Sequence, residues 1–324
     1  MDQRISETTP LVSVIMCAYN GLPYIKEAVQ CIIDQTYTKW ELIISDDGSN
    51  DGTREWLKSL QDTRIRLFLQ DKNLGYVANK NFAHQQAQGE YITQLDNDDL
   101  CTVDRLEQQI AIVRQQPDIK LVATGYHRIN NEGKIYSTEQ EAGDLIINEF
   151  PGTYPFWFPS LLVHRDVFAD IGYFDTYFSG LMGDDIYWTF RANEKYPIYF
   201  IKDPLYVYRN NPNSITNVYD NKRKLIIIKV IDELFHQRKE NRTDWLQEGK
   251  LDAIQAFENQ LLDNKLFMAE QYRIWAAKAI DKNNWDLSIK LLKLSFSTNP
   301  FNLSWYRTFS YYLRQMVMPR NKYS

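Results

Sequence analysis

Three aspartates within four positions, in the stretch QLDNDDL (94–100), are the clearest candidates for chemistry in this sequence. Asp96, Asp98 and Asp99 directly follow GEYIT, an apolar run that is typical of a buried strand. Carboxylates two positions apart on a loop suit Mg²⁺ or Mn²⁺, because these hard cations prefer oxygen ligands and keep phosphate and water in their shell. Solvated Asx turns also contain such spacings, so the D-x-D pattern alone is a weak signal.

Two further polar clusters follow apolar runs earlier in the chain. They come at the ends of LVSVIMCA and WELIISD, and they comprise Cys17, Ala18, Tyr19, Asn20, Asp46 and Asp47. In an open α/β sheet, ligands bind outside the carboxyl ends of the strands. We therefore expect all three clusters, including Asp46 and Asp99, to line one edge of a pocket.

The elements that position these clusters alternate between strand and helix over the first 126 residues. Predicted strands cover 11–18, 40–49, 64–70, 89–95 and 119–126, and predicted helices cover 22–35, 50–61, 74–88 and 103–116. This alternation with short connections is the signature of an α/β fold with a doubly wound, mostly parallel sheet and flanking helices.

The order becomes irregular and rich in aromatic residues from 127 to 219. Short strands are predicted at 197–209, and a helix at 183–195 carries Asp184 and Asp185 at its start, where the helix dipole favours carboxylates. From 220 onward the pattern is helical, and 269–300 loosely resembles one tetratricopeptide hairpin.

Charge divides the chain at the same place. Residues 1–219 hold 19 Lys and Arg against 30 Asp and Glu, whereas residues 220–324 hold 18 against 12. We expect the acidic part to hold the site and the basic part to meet an anionic partner. Residues 301–324 are basic and aromatic without any acid. They suit either the surface of an anionic membrane or a helix docked on the body or on a second subunit.

Several classes of protein are disfavoured. Neither a phosphate-binding G-x-x-x-x-G-K-[ST] loop nor G-x-G-x-x-G follows the first strand, which argues against P-loop kinases and Rossmann dehydrogenases. The four histidines and three cysteines lack zinc spacing, and the acidic half argues against nucleic acid. Unpaired cysteines, a polar N-terminus and the lack of a run of about 20 apolar residues predict a cytoplasmic protein.

Five segments together resemble glycosyltransferase family 2. They are VSVIMCAYNG, WELIISDDGSNDGT, NLGYVANKN, GEYITQLDNDDL followed by DRL, and GDDIYWTFR, in the family's order over about 11–215. The resemblance implies a GT-A fold in a domain at 1–219, with a nucleotide-binding half at about 11–126 and an acceptor half at about 127–219. A helical extension follows at 220–324.

The resemblance also implies an activity and its partners. The expected reaction is an inverting, non-processive transfer of a hexosyl or N-acetylhexosaminyl group from a UDP-sugar or dTDP-sugar, with Mn²⁺ or Mg²⁺ as cofactor. The acceptor would be a glycan or lipid-linked hydroxyl in surface polysaccharide biosynthesis, at the inner face of the membrane. The Q-x-x-R-W motif of processive synthases is absent.

Individual roles follow from the matching positions. Asp185 resembles the catalytic base, and Asp98 the metal ligand, with Asp96 and Asn211 as further candidates. The residues expected to hold the nucleotide are Cys17, Ala18, Tyr19, Asn20, Asp47, Asn73, Lys80, Asp96 and Asn97. Those expected to contact the acceptor or support the site are Asp184, Trp157 and Arg191.

Three positions depart from the family's pattern. Lys80 replaces the arginine of A-R-N, Asp184 replaces the glutamate before the base, and Asn211 replaces the histidine of Y-R-x-H. Two other functions stay open at this point. One is a sugar nucleotidyltransferase, although CAYNGLPYI lacks the glycine-rich basic loop of that class. The other is a non-catalytic scaffold that binds nucleotide or glycan.

Overall fold

The protein is described here by a computed structural model that covers residues 9–211, 214 and 218–317. Its backbone divides into two compact units. The first comprises Met1–Gly180 and Asp184–Asn211, and the second comprises Leu181–Gly183 and Pro212–Ser324. The nucleotide and acceptor halves that the sequence predicts within 1–219 stay predictions.

A ten-stranded sheet forms the centre of the first unit. Its strands are β1 (Val12–Ala18), β2 (Trp40–Asp46), β3 (Ile65–Leu69), β4 (Tyr91–Gln94), β5 (Leu100–Cys101), β6 (Leu121–Ile129), β7 (Ile135–Glu139), β8 (Leu145–Ile147), β9 (Leu162–His164) and β10 (Ile198–Arg209). The order is β3-β2-β1-β4-β9-β6-β10-β5, with β7 beside β6 and β8 beside β10.

The strands β3, β2, β1 and β4 run parallel, as do β6 and β10. The other pairs are antiparallel, so the sheet is mixed beyond β4. Both β1 and β2 are buried along their whole length, as expected for parallel strands covered on both faces. The predicted doubly wound sheet with flanking helices is confirmed.

Among the described residues of this unit, six α-helices accompany the sheet. They are α1 (Ile25–Ile33), α2 (Thr53–Lys58), α3 (Tyr76–Gln85), α4 (Arg105–Gln115), α5 (Arg165–Ile171) and α6 (Asp184–Asn193). The apolar positions of α1 recur at helical spacing and are buried at Ile25, Val29 and Ile32. The prediction of short strands at 197–209 is wrong, because β10 is one long strand whose pairing with β6 shifts register on both sides of Pro204.

The second unit is helical, as predicted. Its helices are α7 (Arg223–Asn241), α8 (Leu251–Asp263), α9 (Lys265–Asp281), α10 (Trp285–Thr298) and α11 (Leu303–Val317). A short turn joins α9 to α10, and Ser295 Oγ donates to the carbonyl of Ala269 across the resulting hairpin at 2.7 Å. Within the described part of the chain, no helix is long and apolar enough to cross a membrane.

Candidate active site

The three polar clusters predicted from the sequence meet at one edge of the sheet, because β2, β1 and β4 are neighbours that run in the same direction. The Asp47 amide donates to the carbonyl of Ala18 at 2.8 Å, which joins the ends of β2 and β1. A Cβ on Gly21 would lie 2.5 Å from Nδ2 of Asn97, which shows how closely the turn after β1 approaches the loop after β4.

The turn after β1 presents an exposed aromatic ring. Tyr19 is 53% exposed, whereas Cys17 and Ala18 beneath it are buried. Burial raises the pKa of the Cys17 thiol to about 12, so this group is neutral at physiological pH. Asn20 adopts φ 51°, and its side-chain oxygen accepts from the amide of Asn50 at 2.9 Å. The ring of Tyr19 is therefore accessible for stacking at the mouth of the site.

Asp47 shapes the loop that precedes α3. Its carboxylate accepts from the amides of Leu74 at 2.6 Å and Gly75 at 3.1 Å. Asn73 Oδ1 accepts from the same Gly75 amide at 3.0 Å. Burial raises the pKa of Asp47, and the two amide hydrogen bonds oppose that shift. Asp47 thus holds the loop that contains Asn73 next to the end of β2.

Two of the clustered carboxylates do not face a ligand, so the expectation that included Asp46 and Asp99 is wrong. Both are almost fully buried. Asp46 accepts from the Ser49 amide at 3.1 Å, and Asp99 accepts from the Tyr206 hydroxyl at 2.6 Å and the Arg209 amide at 2.7 Å. A buried carboxylate requires hydrogen-bond donors. Asp46 accepts them from the turn that follows β2, and Asp99 accepts them from β10, more than 100 residues further along the chain.

The remaining pair, Asp96 and Asp98, is partly exposed at the end of β4. Asp96 accepts from Gln94 Nε2 at 2.5 Å, and Asp98 accepts from Asn211 Nδ2 at 2.8 Å. Burial, together with the charge of Asp98, raises the pKa of Asp96 to about 6, and burial also raises that of Asp98. A bound divalent cation would stabilise the ionised form of both carboxylates and so oppose both pKa shifts. This donor set therefore fits Mg²⁺ or Mn²⁺.

This pair would be a partial cation site. Among the residues that the structure describes, no group of three or more His, Cys, Asp or Glu side chains could hold a metal ion. A cation at Asp96 and Asp98 would therefore complete its shell with water and with phosphate oxygens of a bound ligand.

Two arginines that the sequence analysis did not single out hold the D-x-D loop in place. Arg209 is buried, and its Nε donates to the carbonyl of Asp98 at 2.9 Å while its amide bonds Asp99. Arg105 is fully buried, and Nη1 donates to the carbonyl of Gln94 at 3.2 Å. The sequence offered a signal for both residues, because they are the arginines of YRNN and DRL. An arginine beside apolar core residues is buried only when polar partners are present.

The two consecutive carboxylates at the start of α6 differ in burial. Asp184 is almost fully buried and accepts from Lys80 Nζ at 3.0 Å, whereas Asp185 is partly exposed at the helix start. Burial and the charge of Asp184 raise the pKa of Asp185 to about 6, while Lys80 opposes this shift. The charge of Asp185 also raises the pKa of Asp96, so the candidate base and the D-x-D pair share one electrostatic environment.

The other predicted support residues lie in the surrounding framework. Arg191 Nη2 donates to the carbonyl of Ile171 at 2.6 Å, which fixes α6 to the end of α5. Trp157 is half-buried, and its ring centroid lies 5.0 Å from that of Tyr208 and 6.3 Å from that of Tyr126. Lys80, predicted to hold the nucleotide, is buried against Asp184.

The sequence motifs and this geometry agree with one family. Residues 13–172 match the family model described as Glycosyl transferase family 2. Residues 13–172 belong to glycosyl transferase family 2. The predicted resemblance to this family and the prediction of a glycosyltransferase are confirmed, and relatives that are named as glycosyltransferases agree with both.

Relatives with curated names match parts of the chain. TuaG of Bacillus subtilis, named for teichuronic acid biosynthesis, is 38% identical over 126 residues, which are 38% of this chain and 50% of TuaG. The UDP-Glc:α-D-GlcNAc-diphosphoundecaprenol β-1,3-glucosyltransferase WfgD of Escherichia coli is 36% identical over 121 residues, which are 37% of this chain and 47% of WfgD. The chain thus spans about half the length of these relatives.

The solved structure of S. aureus TarS 1-349 in complex with UDP-GlcNAc has the same fold. Its TM-score to this chain is 0.60 at 18% identity, and the match covers 95% of this chain and 93% of that one. This likeness, with the family assignment, confirms the predicted GT-A fold with a C-terminal helical region.

Proposed function

We propose that this family 2 protein transfers a sugar from a UDP-sugar to the hydroxyl of a glycan or lipid-linked acceptor, with inversion at the anomeric carbon. The observation that carries the proposal is the shared environment of Asp96, Asp98 and Asp185, three partly exposed carboxylates whose pKa values are all raised. Perturbed carboxylates gathered at the strand ends of an α/β sheet are a strong indication of a catalytic site.

The donor would lie along the edge formed by β2, β1 and β4. The exposed ring of Tyr19 is suited to stack on the base, and we propose that Asp47 and Asn73, which both accept from the Gly75 amide, take part in recognising its edge. Four further residues would line the same edge, namely Cys17, Ala18, Asn20 and Asn97. Asp98, with Asp96, would hold Mg²⁺ or Mn²⁺, which when bound offsets the charge of the departing diphosphate. WfgD by its name uses UDP-Glc, and TarS was solved with UDP-GlcNAc, which favours UDP as the carrier here.

Asp185 is suited to act as the general base. A pKa near 6 leaves its carboxylate ionised at neutral pH and still basic enough to take a proton in the transition state. The acceptor oxygen gives its proton to Asp185 and forms a bond to the anomeric carbon. The bond from that carbon to the diphosphate oxygen breaks, and the electron pair leaves with UDP. Attack from the face opposite the leaving group inverts the anomeric centre.

The acceptor is proposed from chemistry and from the relatives. TuaG is named for teichuronic acid biosynthesis, and the name of WfgD gives a diphosphoundecaprenol acceptor. A surface polysaccharide intermediate on a lipid carrier is therefore the acceptor class that we propose. A sugar nucleotidyltransferase is less well supported, since the turn after β1 carries Tyr19 and Asn20 and no basic residue before Lys26.

We further propose that α11 contacts an anionic membrane surface. One face of α11 docks on its own unit, where Trp305 Nε1 donates to the carbonyl of Leu292 at 2.7 Å. The other face is exposed and apolar at Leu303, Tyr306, Leu313 and Val317, and Phe301, just before the helix, is 88% exposed. Exposed Arg307 and Arg314 lie among these residues. Apolar residues interleaved with arginines suit the interface of anionic lipids. Arg320 and Lys322, part of the predicted tail, lie outside the described residues.

The transfer proposal is tested by incubating the protein with a panel of UDP-sugars, Mn²⁺ and lipid-linked glycan acceptors and measuring released UDP and the new glycoside. A wild-type protein that binds UDP tightly but forms no glycoside from any of these pairs would contradict it and favour a binding scaffold.

A further inference from the structure

The ammonium group of Lys80 is enclosed by aromatic rings and one carboxylate. Lys80 lies on α3 and is 1% exposed. Its Nζ is 3.7 Å from the ring centroid of Phe174, 4.6 Å from that of Phe158 and 5.3 Å from that of Tyr76. The remaining partner is Asp184, whose Oδ2 lies 3.0 Å away. A phosphate could reach this ammonium only by displacing Asp184 or one of the rings.

This ion pair connects two elements that are 104 residues apart in sequence. The helix α3 packs on β1 and β2, whose ends form the donor edge, and α6 carries Asp185. Burying both charges has a large desolvation cost, so such a pair is rarely more stabilising than apolar residues of the same shape. Fold stability alone therefore does not account for a lysine at this position.

The packing around α3 fixes Lys80 in one orientation. His84, one turn along the helix, bonds through Nδ1 to the carbonyl of Lys80 at 2.8 Å, and its ring packs against Phe168 and Phe174. Burial lowers the pKa of His84 to about 3, so it adds no charge beside the ammonium. The position of Nζ, and hence that of the Asp184 carboxylate, is set by these rigid neighbours.

The sizes of the two partners suit this contact. An ammonium is a compact donor that can bond one carboxylate oxygen inside a ring of aromatic faces, whereas a guanidinium needs room for its planar fork. The short side chain of Asp184 then holds the start of α6 close to α3.

We propose that Lys80 is a positioning residue for sugar transfer, which acts through Asp184 to orient Asp185, and that it is not a ligand of the donor diphosphate. This inference rests on the proposed function of Asp185. Loss of Lys80 should therefore slow the transfer step. The expectation from the sequence was that its loss would weaken nucleotide binding.

The test compares Lys80→Met, Lys80→Arg and the double variant Lys80→Met/Asp184→Asn with the wild type. Lys58→Met, an exposed lysine on α2, is the matched control. Calorimetry gives the Kd of UDP with Mn²⁺, and initial rates give kcat and the pH profile of kcat/KM. Thermal melting shows whether each variant is folded. If Lys80→Met does not fold, Lys80→Arg and the double variant still test the proposal.

We expect Lys80→Met to change the Kd of UDP by less than about threefold and to lower kcat by about 100-fold, the usual cost of misplacing a catalytic group by about 1 Å. The charge of Asp184 raises the pKa of Asp185, whereas the charge of Lys80 lowers it. Asp185 and Asp96 also repel each other. The acid limb of kcat/KM should therefore move to higher pH in Lys80→Met. Lys80→Arg should keep the wild-type acid limb while losing part of kcat, because its fork does not fit the cage.

The double variant separates positioning from simple charge neutralisation. It should melt at a higher temperature than Lys80→Met, since no charge is left buried alone, and its kcat should stay low. A double variant with near wild-type kcat would overturn the inference, and so would a Kd for UDP that rises tenfold or more in Lys80→Met. If the wild type transfers no sugar, the proposed function fails, and the UDP affinity of Lys80→Met still decides whether Lys80 binds the donor.

Discussion

Asp96, Asp98 and Asp99 lie within four residues of one another, yet they take part in two different kinds of interaction. Asp99 accepts buried hydrogen bonds from Tyr206 and Arg209 of β10, and Asp96 and Asp98 face the candidate site. The backbone places neighbouring side chains on opposite sides, so the loop can keep two carboxylates at a ligand and anchor itself with the third. The same division holds for Asp184 and Asp185 on α6.

At the residue scale, the ionisation of Asp185 predicts a pH dependence. Because burial and Asp184 raise the pKa of Asp185 to about 6, the base is lost by protonation as the pH falls through about 6. We expect kcat/KM to be flat near neutrality and to fall tenfold per pH unit below about 5.5. A profile measured from pH 4.5 to 8 checks this, with melting at each pH as the control for unfolding. An acid limb near pH 4, the ordinary range of an aspartate, would contradict the assignment.

The places of the candidate site residues in the fold could be predicted from the sequence because these residues follow apolar strands in a recognisable order. Tyr19, Asp47, Asp98 and Asp185 all lie at strand or helix ends, which are fixed by periodicity. The roles of Asp46 and Asp99 could not be predicted, because they depend on partners far along the chain. For Asp99 these are Tyr206 and Arg209, more than 100 residues away.

At the element scale, the alternating part of the fold was predictable and the irregular part was not. Each of β1 to β4 falls within its predicted range, with boundaries that differ by a few residues. Residues 127–219 contain antiparallel pairs whose partners are set by tertiary contacts, so local periodicity carries little information there. The single long β10 is an example, since Pro204 marks a register shift in this strand rather than its end.

The exposed face of α11 predicts binding to anionic vesicles. The protein should float with liposomes that contain phosphatidylglycerol and should stay in the soluble fraction with neutral phosphatidylcholine, since both apolar contact and arginine charge are needed. Leu303→Ser/Val317→Ser should reduce flotation severalfold. The control is Leu251→Ser, which removes another exposed leucine from the same unit. Equal flotation of all three proteins, or none with either lipid, would show that this face does not bind membranes.

At the scale of the whole molecule, the charge is unevenly distributed along the chain. The site lies in the acidic part, with 30 acids against 19 basic residues over 1–219. A diphosphate would be repelled by such a surface unless a cation offset the carboxylates. The proposed metal therefore has an electrostatic role in donor binding as well as in the departure of UDP.

Donor binding should stabilise the whole first unit in a metal-dependent way. UDP with Mn²⁺ at 100 times its Kd should raise the free energy of unfolding by ~2.7 kcal/mol. Asp98→Ala should remove the metal-dependent part of this gain and leave the weaker metal-free binding unchanged. Thermal melting and calorimetry, each with Mn²⁺ and with a chelator, measure the metal-dependent part of the stabilisation. The control is Asp118→Ala, which removes an exposed aspartate. Equal UDP affinity with and without metal in the wild type would contradict a metal site at the D-x-D pair.

The central claim is that donor binding and proton removal belong to different residues at one sheet edge, and Asp185→Asn tests it most directly. The amide keeps the shape of the side chain but cannot take the acceptor's proton. UDP affinity with Mn²⁺ should stay within about threefold of wild type, while transfer from the UDP-sugar to the acceptor should fall by about 10²–10⁴-fold. Transfer by Asp185→Asn at near the wild-type rate, with UDP affinity retained, would contradict the account.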